Sequence, residues 1–457
     1  MTIERLLMDR NIVAISTALG NGGISIVRMS GKSVVSIADR VFSCKGLLPS
    51  QFEPRKLYLG VFECGDIKDK CMCVCFKGPN SYTGEDLVEF HCHGGMKLTN
   101  MIVESLVSLG CEPAGKGEFS KLAFLNGKIS LDEAEGIIDM INAESESELK
   151  AGYNLMRGNL HKAVSGMQDS LTELLAKLEV TLDYPEEDLE EETRASIATS
   201  LKEVEDVLKD LLATTKIGRC IKEGLRILIY GKTNAGKSSL LNALLGYDRA
   251  IVTDIQGTTR DTLEEGYEYK GYKFVLIDSA GIRESSDVVE SIGINKAKKE
   301  VDSANVILYI VDGSQKLEKE DDDIIKSING KNVIVVVNKV DKECVVDVSK
   351  LPFDKIVNVS AKTGEGVDEL KEMLYAEVVS KGMSDGVVIT NLRHVEALNK
   401  GLDSLRRSIA SVQDDCISLD LVSIDIKSVW LALGEITGNA DNEKIIDDIF
   451  SKFCVGK

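Results

Sequence analysis

The spacing of apolar positions changes several times along the chain, and each change predicts a different kind of structure. Through residues 1–125, strand-like runs (NIVAIST, GISIVRMS, CMCVCF, DLVEFHC) alternate with glycine-rich turns and leave room for one helix near 97–109. This is the texture of an α+β domain. From about 129 the period lengthens: Leu160, Val164, Met167, Leu171, Leu174, Leu178 and Leu182 recur at three- and four-residue steps, predicting a long amphipathic helix. The acidic run DYPEEDLEEE predicts a solvated linker, followed by a second helix carrying Leu201, Val204, Leu208 and Leu211. Helical spacing stops near Gly224 and returns after about 385 with Val395, Leu398, Leu402, Leu405, Ile409 and Val412. Between the two helical blocks lie β-branched strands. A helical domain interrupted by an inserted domain accounts for this order, because insertions succeed where the two chain ends lie close together. The expected architecture is multidomain α/β: an α+β domain over 1–125, helical parts over 126–220 and 381–457, and an inserted α/β domain over 221–380.

With 43% hydrophobic and 28% charged residues in 457, the chain has the balance of a soluble globular protein, and no apolar run is long enough to cross a bilayer. Its start mixes acids and bases without a signal-peptide core, so the expected compartment is the cytoplasm, with no membrane partner. The net charge of −19 argues against nucleic-acid binding by the whole surface; RNA contact requires a local basic patch or a partner that supplies positive charge. Eleven cysteines, an odd number without secretory signals, suit reduced thiols. In KCMCVCF, Cys71, Cys73 and Cys75 share one strand face as small buried apolar residues, which is favoured over a metal site because no CxxC spacing accompanies them. His91 and His93 could be half of a zinc site, but with only His161 and His394 elsewhere, a structural or substrate-contacting turn at Gly94 and Gly95 is favoured.

The most specific chemistry lies in the insertion. The strand LRILIY (225–230) runs directly into GKTNAGKSS, which satisfies G-x-x-x-x-G-K-[ST]. Gly231 and Gly236 let backbone amides turn inward around phosphate oxygens, Lys237 places a cation between the β- and γ-phosphates, and Ser238 offers a hydroxyl to Mg2+. The helix LLNALL then presents its positive end. A second GKS, Gly31–Ser33, lacks the preceding glycine and is disregarded. Downstream, FVLIDSAG puts Asp278 at a strand end, where it can reach Mg2+ through water while the Gly281 amide meets the γ-phosphate. Between them, GTTRD supplies Thr258 and Thr259 for a switch loop. In VIVVVNKVD, Asn338 and Lys339 frame the base and Asp341 accepts from guanine's ring N–H and amino group; a buried carboxylate there would reject adenine. SAK (Ser360, Ala361, Lys362) puts a backbone amide near the guanine oxygen. The set, in this order, resembles the small, Ras-like P-loop GTP-binding proteins.

Many of those proteins place a water-orienting glutamine after the DxxG glycine. Here Ile282 stands there, so Arg283, Glu284 or Glu290 must orient water, or hydrolysis is slow. No arginine finger is evident; Asn234 reads either as a turn residue or as a ligand for a monovalent cation beside the phosphates.

Beyond the insertion, GGISIVRMSG (22–31), GPNSYTGEDLVEFHCHGG (78–95), GEFSKLAFLNGKISLDEAEGI (117–137) and FCVGK resemble the MnmE/TrmE-type tRNA-modification GTPases over nearly the whole chain. The resemblance implies a potassium-dependent GTPase, a homodimer, and an FAD-dependent MnmG-type partner in a heterotetramer. Together these would install a 5-carboxymethylaminomethyl or aminomethyl group on the wobble uridine of tRNA, using a tetrahydrofolate one-carbon unit (5-formyl- or 5,10-methylene-tetrahydrofolate) bound by the N-terminal, folate-binding-like and dimerising domain. It implies Arg28, Glu85, Lys128 and Lys457 around the folate, with cations suited to its carboxylates. It further implies Cys454 as a residue of the modification chemistry, Glu290 as the water-orienting carboxylate, and K+ held by Asn234, Thr253, Ile255 and Thr258. Nucleotide contacts then extend over Asn234, Ala235, Gly236, Lys237, Ser238 and Ser239; over Thr253, Asp254, Ile255, Gln256, Gly257, Thr258 and Thr259; and over Asp278, Ser279, Ala280 and Gly281. Ser238 and Thr259 serve Mg2+. Ser279 in place of threonine and Val455 in place of isoleucine are departures that touch no charged or nucleophilic role. A ribosome-assembly switch or scaffold and a free-standing folate-binding protein are the competing classes; the helical tail argues against the first and the nucleotide motifs against the second.

Overall fold

The computed structural model describes residues 10–183, 190–246, 250–251, 264–278, 298–379, 386–414, 416–439 and 443–457. Two compact units emerge. One comprises residues 1–138, 155–197 and 410–457, the other 139–154 and 198–409.

The first unit is built on a seven-stranded sheet of order β3-β4-β5-β6-β2-β1-β7. Its strands are β1 (Ile12–Ile15), β2 (Ile24–Ser30), β3 (Phe42–Ser43), β4 (Tyr58–Cys64), β5 (Ile67–Phe76), β6 (Leu87–His93) and β7 (Glu112–Pro113). All neighbours are antiparallel except β1 and β7. Antiparallel pairing fits the alternating sequence, since each strand sends successive side chains to opposite faces. On β2, Val27 and Met29 enter a core with Phe42, Phe62, Cys71, Cys73, Cys75, Phe90 and Ile102. Arg28 and Ser30 point to the other face, where Ile12, Ala14, Ala114, Phe119 and Leu122 pack. The helix Met96–Ser108, one residue off its expected place, covers the first face through Ile102 and Leu106.

The same unit holds the helices Asn159–Asp183 and Leu419–Thr437, which pack against each other; Gln168 Nε2 donates to the Trp430 carbonyl at 3.2 Å. Leu160 through Leu178 of the expected stripe are buried, while Leu182 is exposed. The buried Arg194 guanidinium donates to the Val412 and Ile417 carbonyls at 3.3 and 2.6 Å, satisfying acceptors near a helix end that would otherwise be orphaned. The acidic run expected as linker is not all linker: a helix begins at Glu190, and 184–189 lie outside the described residues.

The second unit has its own seven-stranded sheet, β14-β13-β12-β8-β11-β10-β9. These are β8 (Leu225–Gly231), β9 (Ala250–Ile251), β10 (Glu264–Tyr269), β11 (Tyr272–Asp278), β12 (Val306–Asp312), β13 (Val333–Asn338) and β14 (Ile356–Val359). From β14 to β11 all neighbours are parallel, and β10 and β9 add an antiparallel edge. Parallel strands covered on both faces read as continuous apolar runs. Accordingly Ile227, Ile229, Leu308, Ile310 and Val336 fill one core, and their alternates Leu228, Tyr230, Ile307, Tyr309 and Val335 the other. Leu201, Val204, Leu208 and Leu211 are buried as expected. On the helix Leu392–Gln413 the buried side is turned slightly from the expected stripe: His394 is buried and Val395 only half-buried. No helix among the described residues is long and apolar enough to cross a membrane.

Candidate functional site

The nucleotide motifs gather at the carboxyl ends of β8, β11, β12, β13 and β14, where an open parallel sheet offers its ligand crevice. β8 ends at Gly231, where a side chain would meet the Ile310 carbonyl 2.5 Å from its Cβ, so the loop leaves the sheet pressed against β12. Asn234 and Gly236 take left-handed φ values of 63° and 99°, and the helix Lys237–Leu245 starts at once. Any Cβ on Gly236 would fall 2.2 Å from Asn338 Nδ2. That amide donates instead to the Ala235 carbonyl at 3.0 Å, tying the phosphate loop to the base-recognition strand. Lys237 is buried, its Nζ donating to the Gly231 and Lys232 carbonyls at 3.1 and 2.8 Å, which aims the cation across the loop mouth. Ser238 and Ser239 occupy the first turn of the helix, and the buried Asp278 closes β11.

Around the base site, Lys339 has a φ of 67°, and its Nζ donates to the Asn234 carbonyl at 2.8 Å and to Asp312 Oδ2 at 2.6 Å. Burial works against the Asp312 carboxylate, but Lys339 and Ser314 outweigh it and hold its pKa below the ordinary value. Asp341 is exposed. Its orientation comes from Ser360, whose hydroxyl donates to Oδ1 at 2.7 Å and is the main cause of its lowered pKa. In SAK, the Ala361 amide donates to Asn338 Oδ1 at 3.1 Å, which fixes this loop to the same side chain that holds the phosphate loop. Lys362 adds positive charge near Asp341. Thr253, Asp254, Ile255, Gln256, Gly257, Thr258, Thr259, Ser279, Ala280, Gly281, Ile282, Arg283, Glu284 and Glu290 lie outside the described residues.

In the first unit a second constellation forms on the outward face of β2. The Arg28 guanidinium donates through Nε to Glu89 Oε1 at 2.8 Å and through Nη1 to the Gly456 carbonyl at 3.3 Å, and lies 5.8 and 5.7 Å from the Tyr82 and Phe119 ring centres. Burial, and then the neighbouring Arg28, push the Lys457 ammonium below its ordinary pKa. Two residues along β2, the Ser30 hydroxyl donates to Glu85 Oε2 at 3.3 Å. Lys128 is exposed, with its Cε 3.2 Å from where a Cβ on Gly84 would stand. Residues 453–456 close the group. Phe453 is buried, the Cys454 carbonyl accepts from the Gly117 amide at 3.3 Å, and the Ser16 hydroxyl donates to Gly456 at 2.9 Å. The Cys454 side chain itself is exposed.

Residues 131–454 match the family described as the MnmE helical domain, and residues 11–128 match the GTP-binding protein TrmE N-terminus. Full-length relatives agree. The tRNA modification GTPase MnmE of Clostridioides difficile is 39% identical, covering 99% of this chain and 100% of the relative. That of Alkaliphilus oremlandii is 40% identical over 99% and 100%, and that of Aquifex aeolicus 38% over 98% and 100%. The chain belongs to the MnmE family of tRNA modification GTPases.

As an MnmE-family GTPase, the chain carries two constellations of unequal legibility. Asp312 escaped the sequence motifs, although, like Asp278, it ends a strand of apolar residues. Glu89, Tyr82 and Phe119 also escaped, each lying inside a segment that resembles the family but with no motif or spacing of its own to single it out. A separate recess of about 190 Å3 in the second unit is lined by Asp139, Glu144, Glu148, Lys222 and Lys273. Lys222 pairs with Asp139 at 2.6 Å and Lys273 with Glu144, while Glu148 accepts from the Glu144 amide at 2.6 Å and is pushed above its ordinary pKa by burial.

Proposed function

We propose that GTP hydrolysis by this MnmE-family enzyme drives formation of the 5-carboxymethylaminomethyl or aminomethyl group on the wobble uridine of tRNA, in a complex of the homodimer with an FAD-dependent MnmG-type partner. The observation that carries this reading is the Arg28 and Lys457 pair on the outward face of β2: the Arg28 guanidinium is held by Glu89 beside the Tyr82 and Phe119 rings, and the half-buried Lys457 ammonium adds a second positive charge near it. Such a site suits a flat aromatic ligand bearing carboxylates, as a tetrahydrofolate does. Arg28 and Lys457 would hold it, with Glu85 and Lys128 at the rim, and the folate would supply the one-carbon unit. Cys454, exposed beside Lys457, is the residue we assign to the modification chemistry.

In the nucleotide site, Ser238 and Thr259 would hold Mg2+. Asn234, with Thr253, Ile255 and Thr258, would hold K+, which supplies the positive charge that an arginine finger gives elsewhere. Asn234 fits that part, because its left-handed backbone is fixed by Lys339 on its carbonyl while its side chain remains at the loop surface. Glu290 would orient the attacking water. The test is steady-state hydrolysis in K+ against Na+ at equal ionic strength, with Asn234→Ala and Glu290→Ala, alongside 5-formyltetrahydrofolate binding by Arg28→Ala. Stimulation by K+ that both variants lose, and folate binding that Arg28→Ala loses, are the expected results. Equal slow rates in both salts would remove the cation-assisted part, and undiminished folate binding by Arg28→Ala would remove the folate site.

A further inference from the structure

The face of the first sheet that looks away from Arg28 holds a group the proposed function does not use. The core-facing positions of β5 are Asp69, Cys71, Cys73 and Cys75, and those of β6 are Val88, Phe90 and Cys92. Cys71 and Cys92 flank the Met72–His91 pair of the antiparallel ladder, so the two thiols come from adjacent strands onto one face. Asp69 stands two residues before Cys71 on that face. All three side chains are buried, and one ligand atom of each lies within 4.8 Å of the others.

An apolar core has no use for a carboxylate, which costs free energy unless it is paired or bound. Asp69 is held in one orientation from outside the core: the His93 amide donates to Oδ2 at 3.1 Å, and the His93 ring Nδ1 lies 2.5 Å from Oδ1. That is the arrangement by which second-layer partners orient a metal-binding carboxylate. His93 is itself 69% exposed, which leaves an entry path at the strand end.

We propose that Asp69, Cys71 and Cys92 form a Zn2+ site, oriented by His93 and completed by a water molecule. Two sulfurs and one oxygen are the donor set of a borderline-soft, four-coordinate ion and exclude Mg2+ and Ca2+, which take oxygen alone. Tetrahedral Zn–S bonds of ~2.3 Å place sulfurs about 3.8 Å apart, so the observed cluster closes by about an ångström or less at each edge. On binding, each thiol gives up one proton to solvent and becomes a thiolate; no oxidant or reductant is involved. Sequence spacing alone could not reveal the site, because Cys92 joins Asp69 and Cys71 only through the pairing of β6 with β5.

The test uses the full chain purified with zinc and dialysed against a weak chelator. One zinc per chain should remain, and Co2+ in its place should give a thiolate-to-cobalt charge-transfer band, which an oxygen-bound ion in the nucleotide site cannot produce. Cys92→Ala should lose both, whereas Cys73→Ala, a core neighbour outside the cluster, should keep both. The surface change His93→Gln, which leaves the core untouched, should weaken zinc by about tenfold to a hundredfold. Zinc content equal in wild type and Cys92→Ala would overturn the site. So would a thiol count showing Cys71 and Cys92 joined as a disulfide, or full zinc affinity in His93→Gln.

Discussion

The two sheets of this chain have equal numbers of strands and build their sites in opposite ways. In the parallel sheet, chemistry sits in loops that follow consecutive strands, so each residue is placed by the strand directly before it: Lys237 by β8, Asp278 by β11, Asp312 by β12, Lys339 by β13 and Ser360 by β14. In the antiparallel sheet the cationic group draws on β2, the segment before β6, the helix Glu118–Leu125 and residues 453–457. The first site depends on strand order, the second on contacts between remote segments. A substitution in one should therefore act locally, and a substitution in the other should act through the closure of the chain.

The largest expected effect is from Lys237→Ala, which removes the buried cation at the loop mouth. GTP hydrolysis should fall by about a thousandfold while 5-formyltetrahydrofolate binding, read by calorimetry, is unchanged. A matching loss of folate binding would break the division of the molecule into two independent sites. Next, Asp341→Asn should weaken GTP by about a hundredfold, the worth of two hydrogen bonds to a charged acceptor, with unchanged melting temperature because the carboxylate is exposed.

Gly456→Ala sharpens the other side of the comparison. Gly456 has φ 94°, and a Cβ there would stand 2.1 Å from the Ile15 carbonyl, so residues 454–457 must shift. Folate binding should weaken by about tenfold, the worth of one lost contact of about 1.4 kcal/mol, with GTP affinity intact. Asp312→Asn should raise the Kd for GTP about fivefold by releasing Lys339. In the wild type, the lowered Asp312 pKa means that its contribution is present above the ordinary carboxylate range and is lost only as pH falls through the lowered value. GTP affinity measured by fluorescence should therefore be insensitive to this group from about pH 5 upward.

The smallest effect concerns His161, 3.6 Å from the buried Asp132. The neighbouring Asp132 carboxylate raises the His161 pKa, and partial burial opposes it. The stabilisation is fully present below the unfolded pKa and disappears as pH rises through the folded one. The melting temperature should fall by on the order of 1 °C between pH 6 and 8, and His161→Gln should flatten that slope.

How much of this was legible in the sequence follows from the same contrast. LRILIYGKTNAGKSS reads as strand, loop and helix because the contacts that make it a site are between near neighbours. Asp312 was missed because its partner Lys339 lies 27 positions away, across a strand and a helix. The helices Leu131–Asn142, Glu146–Met156 and Leu419–Thr437 were not singled out either. In the last, Leu419, Val422, Ile426, Val429, Leu433 and Ile436 are buried while Leu421, Ile424 and Leu431 are exposed, so apolar residues go all round and no stripe stands out. The segment resemblance named Arg28 and Lys457, but their neighbours Glu89, Tyr82 and Phe119 needed the pleat of β2 and the packing on it.

The hydrogen bond from Ser16 to Gly456 spans 440 positions. During synthesis at ~5–20 residues per second, roughly 20 to 90 seconds separate the emergence of its two ends from the ribosome. For that interval the nascent sheet carries the Arg28 face open, with its final strap and Lys457 still unmade. The nucleotide domain is translated entirely within that delay, so it can fold and take up GTP before the other site exists.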